Sequence, residues 1–302
     1  MVLQQQPALV HFIPQNGPVK DPIHHVFREG ATESALLVGD SGLVLRKFPS
    51  RVFQSCVTSP PYWALRDYGI EGQIGLEESV EHYIRALVRI FSQVRRVLRD
   101  DGTLWLNIGD SYTSGGRTWR APDKKNPVRE MEFRPPTPRG LKPKDLIGVP
   151  WMLAAALRKS GWYLRADVIW EKPNCQPESV KDRPTRSHEY VFLMSKTERY
   201  KYNHEAVRGP NRRNLRTVWD IRTQAFNGAH FATFPPGLVK RCLELTTDPT
   251  DLVLDPFVGS GTTVEVALKM KRRAIGVELN PAYVSVAEAR LNGRLNGGSL
   301  LL

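Results

Sequence analysis

Two short segments carry residue types at spacings that could do chemistry. The first is LVLDPFVGSGTTVEVAL, a hydrophobic run followed by an acid, an aromatic residue, two glycines and two threonines: Asp255, Phe257, Gly259, Gly261, Thr262 and Thr263. Glycines let the backbone approach a ligand closely, and free N–H groups at a helix N-terminus attract polar or negative groups. A glycine turn can also be an ordinary strand-to-helix junction. Glu278, 17 residues beyond Gly261, could accept hydrogen bonds from ribose hydroxyls and favours a ligand site.

The second segment is CVTSPPYW, in which Ser59, Pro60, Pro61 and Tyr62 follow a short hydrophobic run. Two prolines cannot continue a ladder of strand hydrogen bonds, so they fix a rigid exit and turn the aromatic ring outwards. The carboxyl ends of strands are where α/β enzymes place their sites. An ordinary proline turn has the same letters, and the tetrapeptide alone does not separate the two interpretations.

Hydrophobic patterns predict the elements that position these segments. Strands are predicted at ALLVGD, SCVTS, TLWLNIG, YLRADVIW, YVFLMS, LVLDPF and AIGVEL. Helices are predicted from Ser79 to a stop at Asp101-Gly102, over residues 146 to 160, and over Pro235–Leu245, Thr262–Lys271 and Pro281–Leu291. The alternation predicts an α/β fold with a sheet of about seven strands.

The chain divides into a core domain with flexible additions. Residues 1 to 34 lack periodicity and predict a mobile or loosely docked arm, residues 35 to 292 the domain, and residues 293 to 302 a tail. Residues 112 to 146 are rich in proline, glycine and charge, which predicts a long basic loop rather than a packed element.

Together the two segments resemble the amino-methylating DNA methyltransferases, in which Ser-Pro-Pro-Tyr and the FxGxG turn are the catalytic and cofactor motifs. The resemblance runs from about Leu36 to Leu291. The catalytic motif comes first and the glycines nearly 200 residues later, which is the order of the permuted class known as β. The resemblance therefore implies a mostly parallel, Rossmann-like, circularly permuted sheet that binds S-adenosyl-L-methionine.

The resemblance also implies roles for further residues. Asp40 in LVGD matches the acid that contacts the adenine side of the cofactor, and HFATFPPGLVKRC is similar to the methionine-binding motif. The implied cofactor site comprises Asp40, His230, Phe234, Asp255, Phe257, Gly259, Gly261, Thr262, Thr263 and Glu278.

Serine at position 59, where adenine-modifying members usually have aspartate, is similar to the members that modify N4 of cytosine. An exocyclic amino nitrogen is a poor nucleophile because its lone pair is delocalised into the ring. Ser59 Oγ and the Pro60 carbonyl could accept hydrogen bonds from that amino group, and Tyr62 could stack on a flipped base. No covalent intermediate is needed, so Cys56 is expected to be a core residue.

Three other functions fit parts of the pattern. An N6-adenine DNA methyltransferase would share the fold and cofactor. RNA and protein-glutamine methyltransferases use a similar Pro-Pro-Tyr motif, usually preceded by asparagine. A DNA-binding module without catalysis would be expected to lose the acid, the glycines or Pro-Pro-Tyr, and all are present.

Positive charge indicates a polyanionic partner, and the resemblance implies that this partner is double-stranded DNA. The chain carries +12; residues 112 to 146 hold nine basic and four acidic residues, and residues 171 to 222 hold twelve and seven. A solvated surface is the alternative. Residues 199 to 228 occupy the place of the β-class target-recognition segment. The expected DNA contacts are Arg117, Arg120, Lys124, Lys125, Arg183, Arg186, Arg212, Arg213 and Arg216.

Composition limits the remaining possibilities. Three cysteines stand far apart, which argues against a zinc site and a disulfide framework. No apolar run is long enough for a membrane span and no secretory signal precedes the domain, so we expect a cytoplasmic protein. A cognate restriction endonuclease is a possible partner, and both a monomer and a homodimer fit the sequence.

Overall fold

The computed structural model describes residues 24–29, 32–115, 117–120, 130–224 and 234–295. These residues form nine strands, six α-helices and two short 3-10 helices. The strands are β1 (His24–Glu29), β2 (Thr32–Val38), β3 (Phe53–Thr58), β4 (Leu98–Ile108), β5 (Tyr163–Glu171), β6 (His188–Ser195), β7 (Val218–Asp220), β8 (Leu252–Asp255) and β9 (Arg273–Glu278). The helices are α1 (Ser41–Lys47), α2 (Val80–Val97), α3 (Val149–Lys159), α4 (Pro236–Thr246), α5 (Thr262–Lys269) and α6 (Pro281–Leu295).

The strands form one sheet in the order β1-β2-β9-β8-β3-β4-β6-β5-β7. Among these neighbours, β1–β2, β4–β6 and β6–β5 pair antiparallel, and the other five pairs are parallel. The prediction of a mostly parallel α/β sheet is confirmed.

The predicted number of about seven strands is wrong, because two edge strands were missed. Strand β1, HHVFRE, lies within the stretch predicted to be a loosely docked arm, and β7 has only three residues. Both are held at the sheet edges by backbone hydrogen bonds to β2 and β5, which require no hydrophobic run.

Helix α2 shows how a local pattern fixes an element. Ser79 caps it by accepting a hydrogen bond from the His82 N–H, at 3.3 Å, and one face of the helix is buried. The helix ends at Val97, four residues before the predicted stop at Asp101-Gly102, because Leu98 already has extended backbone and begins β4.

Two hydrophobic cores cover the two faces of the sheet. Helices α1, α2 and α3 contribute to one core, and α4, α5 and α6 contribute to the other. Cys56 is fully buried in β3, which confirms that it is a core residue. No described helix has both the length and the apolar character needed to cross a membrane.

Strand order brings the two chemical segments together. Strands β3 and β8 are parallel neighbours with Cys56 opposite Leu254, so their carboxyl ends lie side by side. At that edge the Thr58 hydroxyl donates to Asp255 Oδ1, at 2.6 Å, although the two residues are 197 positions apart. The sheet therefore places Ser59 beside the glycine turn.

Candidate active site

A cleft that opens to solvent lies at the carboxyl ends of β2, β3, β8 and β9. Six predicted cofactor residues line it: Asp40, Phe234, Phe257, Gly259, Thr262 and Glu278. Ser59 and Pro61 line it as well. The cleft therefore joins residues from the two segments and from the LVGD motif.

The glycine turn presents bare backbone to the cleft. Gly259 has φ +49°, and no heavy atom lies within 4 Å of where a Cβ would stand. Gly261 has φ +83°, and a Cβ there would lie 3.1 Å from Ala287 Cβ in α6. The positive φ favours glycine at both positions, and close packing against α6 adds a steric reason at Gly261.

Three of the predicted cofactor residues lie beneath the cleft rather than in its wall: Asp255, Gly261 and Thr263. Asp255 is 2% exposed and accepts hydrogen bonds from the Thr58 and Thr263 hydroxyls, both at 2.6 Å, and from the Phe257 N–H. Burial raises its pKa to about 6. These contacts make Asp255 a support of the turn.

Two acids form polar parts of the cleft wall. Glu278 accepts hydrogen bonds from the N–H groups of Gly259 and Asn280, both at 3.0 Å, so it ties the glycine turn to β9. Burial raises the pKa of Glu278. Asp40 caps α1 through the Leu43 N–H, at 2.8 Å. His230, the remaining predicted cofactor residue, lies outside the described residues.

The Ser-Pro-Pro-Tyr turn is held rigidly. Pro60 is buried, and the Pro61 carbonyl accepts a hydrogen bond from the Tyr83 hydroxyl of α2, at 2.7 Å. The Tyr62 ring lies against backbone, since a Cβ on Gly109 would be only 2.6 Å from Tyr62 Cε2.

A polar cluster that the sequence did not predict surrounds the Tyr62 hydroxyl. This hydroxyl donates to Glu189 Oε2, at 2.7 Å, and Asn107 Nδ2 donates to the same oxygen, at 3.0 Å. Lys172 Nζ pairs with Glu189 Oε1. The residues lie at the ends of β4, β5 and β6, on the edge of the sheet that carries the cleft, which we call the catalytic edge. That position is a sequence signal that could have found them.

The first basic segment, residues 112 to 146, begins and ends at the catalytic edge of the sheet. Its described parts pair through bridges Tyr112–Leu146 and Arg120–Met131, and Arg120 Nη1 donates to the Leu65 carbonyl, at 3.1 Å. Arg117 is exposed. Lys124 and Lys125 lie outside the described residues.

The second basic segment divides between the two edges of the sheet. Arg183 pairs with Glu178, at 2.6 Å, and Arg186 Nη1 lies 3.9 Å from Asp110 Oδ2 at the catalytic edge. By contrast, the Lys201 N–H donates to the Asp101 carbonyl at the opposite edge. The exposed residues Arg212, Arg213 and Arg216 follow from there towards β7. Arg212 Nη2 lies 3.7 Å from Glu205 Oε2, and none of these three arginines is among the described residues that line the cleft.

Comparison with known proteins identifies relatives across most of the chain. The family model described as DNA methylase matches residues 53–289. The chain is 59% identical over 268 residues to the type II methyltransferase M.Cfr9I of Citrobacter freundii, covering 87% of this chain and 88% of that protein. It is 56% identical to M.SmaI of Serratia marcescens, covering 85% and 90%.

Solved structures share the fold. TTHA0409 of Thermus thermophilus, in its complex with S-adenosyl-L-methionine, is 28% identical with a TM-score of 0.61, covering 87% of this chain and 95% of that one. The PvuII DNA methyltransferase, named as cytosine-N4-specific, is 23% identical with a TM-score of 0.66, covering 88% and 94%.

Proposed function

Because the chain belongs to the DNA methylases that this family model describes, we propose that it methylates the exocyclic N4 amino group of a cytosine turned out of duplex DNA. It is a type II DNA methyltransferase of the N4/N6 family, and S-adenosyl-L-methionine is its cofactor. Ser59 carries the proposal for cytosine, since it presents a hydroxyl in the cleft wall where adenine-modifying members usually have a carboxylate.

The residues of the cleft fit this cofactor. The open backbone at Gly259 leaves room for a ligand to approach, and the Glu278 carboxylate can accept hydrogen bonds from sugar hydroxyls. Phe257 and Phe234 offer apolar surface in the same wall. We therefore propose that these residues and Asp40 hold the cofactor, with Asp255 acting from beneath.

The chemistry of the chain's own residues is orientation and hydrogen bonding. The bound cofactor supplies an electrophilic methyl group on a sulfonium. Ser59 Oγ and the Pro60 carbonyl accept hydrogen bonds from the target amino group, which draws electron density onto its nitrogen. Tyr62 stacks on the flipped base, and the two prolines hold these groups in fixed positions, so little entropy is lost on reaching the reactive geometry.

Adenine-N6 is the second candidate target. The same cleft and prolines would serve it, and Ser59 favours cytosine. The fold that the chain shares with the cytosine-N4-specific PvuII enzyme is compatible with the choice.

We propose further that the basic loop 112 to 146 and the stretch around Arg183 and Arg186 face the DNA. Both begin where a strand reaches the catalytic edge. Trp119, 57% exposed, stands beside Arg120 on the loop, and an exposed aromatic among cations suits a surface that meets nucleic acid.

The product identifies the target. Duplex DNA containing every short sequence is incubated with protein and cofactor, hydrolysed, and its nucleosides analysed by mass. We expect N4-methylcytosine; N6-methyladenine as the sole product would reject the cytosine proposal.

Ser59→Ala should lower turnover about 100-fold or more with cofactor affinity unchanged, whereas Ser92→Ala, on the exposed face of α2, should match the parent.

A further inference from the structure

Three groups form a line of hydrogen bonds that leads away from the cleft. The Ser59 hydroxyl donates to Tyr62 Oη, at 3.3 Å, and the Tyr62 hydroxyl donates to Glu189 Oε2, at 2.7 Å. Only Ser59 of these three lines the cleft. The line therefore connects the cleft wall to a carboxyl group behind it.

The carboxylate at the end determines the direction of these bonds. An ionised carboxylate can only accept, so the one proton of the Tyr62 hydroxyl must point to Glu189. Asn107 Oδ1, at 3.4 Å, is a longer and uncharged alternative for that proton. With its proton committed, Tyr62 Oη can accept from Ser59, and the lone pairs of Ser59 Oγ remain for a ligand in the cleft.

The surroundings keep this direction fixed. Burial, with the nearby Glu189 charge, raises the pKa of Tyr62 well above its ordinary value, so the phenol keeps its proton. Lys172 Nζ pairs with the other oxygen of Glu189, and Asn107 Nδ2 donates to Oε2. The carboxylate thus has three donors, and the charge of Lys172 compensates its own.

We propose that Glu189 is a positioning residue that acts through Tyr62: it makes Ser59 a hydrogen-bond acceptor for the target amino group and receives the proton that this group releases. The inference rests on the proposed methylation of an amino group. It assigns a role to a residue of β6 that neither of the two sequence motifs contains.

The proton balance follows the same line. When the amino nitrogen gains a methyl group it becomes cationic, and it must lose one N–H proton to give the neutral product. That proton passes to Ser59 Oγ, the Ser59 proton passes to Tyr62 Oη, and the Tyr62 proton passes to Glu189 Oε2. The electron pair of the broken N–H bond stays on nitrogen. The Glu189 side chain is 17% exposed, so the proton can continue to solvent.

The test compares Glu189→Gln with the full-length parent on duplex DNA. Glutamine keeps the size of the side chain but can neither hold the negative charge nor take the proton. We expect the single-turnover rate constant to fall about 100-fold or more, with the affinities for cofactor and DNA within twofold of the parent. Glu171→Gln, an exposed carboxyl at the end of β5, is the matched control and should match the parent.

Two further variants distinguish a positioning role of Glu189 from a merely structural role. If Glu189 acts through Tyr62, Tyr62→Phe with Glu189→Gln should be no slower than Tyr62→Phe alone, since both break one line. Glu189→Asp, which keeps the carboxylate, should be faster than Glu189→Gln and covers the case in which the glutamine variant fails to fold. The inference would be overturned if Glu189→Gln slowed the Tyr62→Phe variant by the same factor as it slows the parent. It would also be overturned if Glu189→Asp were no faster than Glu189→Gln.

The parent's product separates this inference from the proposed function. A parent that yields no methylated nucleoside contradicts the proposed function itself. A parent that yields N6-methyladenine overturns only the choice of cytosine, and the Glu189 variants are then compared on adenine. An active parent with an equally active Glu189→Gln variant overturns the inference alone.

Discussion

Asp255 shows at the residue scale how burial couples one carboxyl group to pH. The pKa of an aspartate in an unfolded chain is close to 4, whereas burial raises that of folded Asp255 to about 6. Near pH 5 the folded protein therefore keeps a proton that the unfolded chain has released. The free energy of unfolding should fall as pH rises from about 4 to about 6, by at most about 3 kcal/mol from this group.

Asp255→Asn should remove this dependence, because an amide does not titrate and can still bond the hydroxyls of Thr58 and Thr263. Urea unfolding at pH 4.5 and at pH 6.5 measures the free energy of unfolding at each pH. We expect the difference between these two free energies to change by about 1 to 3 kcal/mol relative to the parent. Glu171→Gln removes an exposed carboxyl as a control and should leave the profile unchanged, and an unchanged profile for Asp255→Asn would contradict the prediction.

Gly259 and Gly140 form a matched pair for the cofactor site. Both have positive φ, +49° and +87°, and neither has a heavy atom within 4 Å of a Cβ position, but only Gly259 lines the cleft. A valine at either position strains the backbone by about 1 to 2 kcal/mol. Gly259→Val should also lower cofactor affinity at least about tenfold by calorimetry, because its side chain would project into the open space. Equal affinities for the two variants would show that the turn does not hold the cofactor.

At the scale of elements, a buried ion pair joins α5 to α6 behind the glycine turn. Arg290 Nη2 lies 2.9 Å from Glu265 Oε2, with the side chains 6% and 4% exposed, and Arg290 Nη1 donates to Ser260 Oγ, at 2.8 Å. Burial lowers the pKa of Arg290 to about 10, so it stays charged at neutral pH. The pair therefore fixes the two helices and the turn relative to one another.

Removing one partner of this pair should cost more than removing both. Arg290→Met leaves Lys269, whose Nζ lies 3.1 Å from Glu265 Oε1, as the remaining cation beside the Glu265 carboxylate, and we expect the free energy of unfolding in urea to fall by about 1 to 3 kcal/mol. The double variant Glu265→Leu with Arg290→Met should recover most of that loss. A double variant as unstable as the sum of the two single changes would instead show independent contributions.

At the scale of the whole molecule, the basic residues of the loop 112 to 146 should make DNA binding depend on salt. Neutralising Arg117, Lys124 and Lys125 to glutamine should flatten the slope of log affinity against log salt by about 0.9 for each phosphate that the protein no longer neutralises. Arg120 is left intact because it bonds the Leu65 carbonyl. Cofactor affinity should not change.

A control variant carries the same number of changes at the opposite edge. The residues changed are exposed there: Arg158 and Lys159 at the end of α3, and Lys271 before β9. Their replacement by glutamine should leave the slope of log affinity against log salt close to that of the parent. A slope for the loop variant equal to that of the control would contradict the prediction. The same comparison for Arg212, Arg213 and Arg216 decides whether the segment before β7 meets DNA: a flatter slope supports such binding, and the control slope excludes it.

The sequence by itself determined the local elements and the chemical motifs. Ser79 specified the start of α2, the hydrophobic run before Asp255 specified β8, and the glycines specified the turn that follows, because caps, periodicity and backbone freedom act within a few residues. The family resemblance of the same motifs indicated the methylase fold and S-adenosyl-L-methionine, and the comparisons confirm both.

Only the tertiary structure decided which side chains meet. The pairing of β3 with β8 put Thr58 against Asp255 across 197 residues, and the position of β6 put Glu189 against Tyr62 across 127. Contacts at such separations depend on strand order and register, which local patterns do not encode. For that reason the sequence grouped Asp255 with the residues of the cleft, whereas the structure places it beneath the cleft, and the sequence did not reveal the carboxylate behind Tyr62.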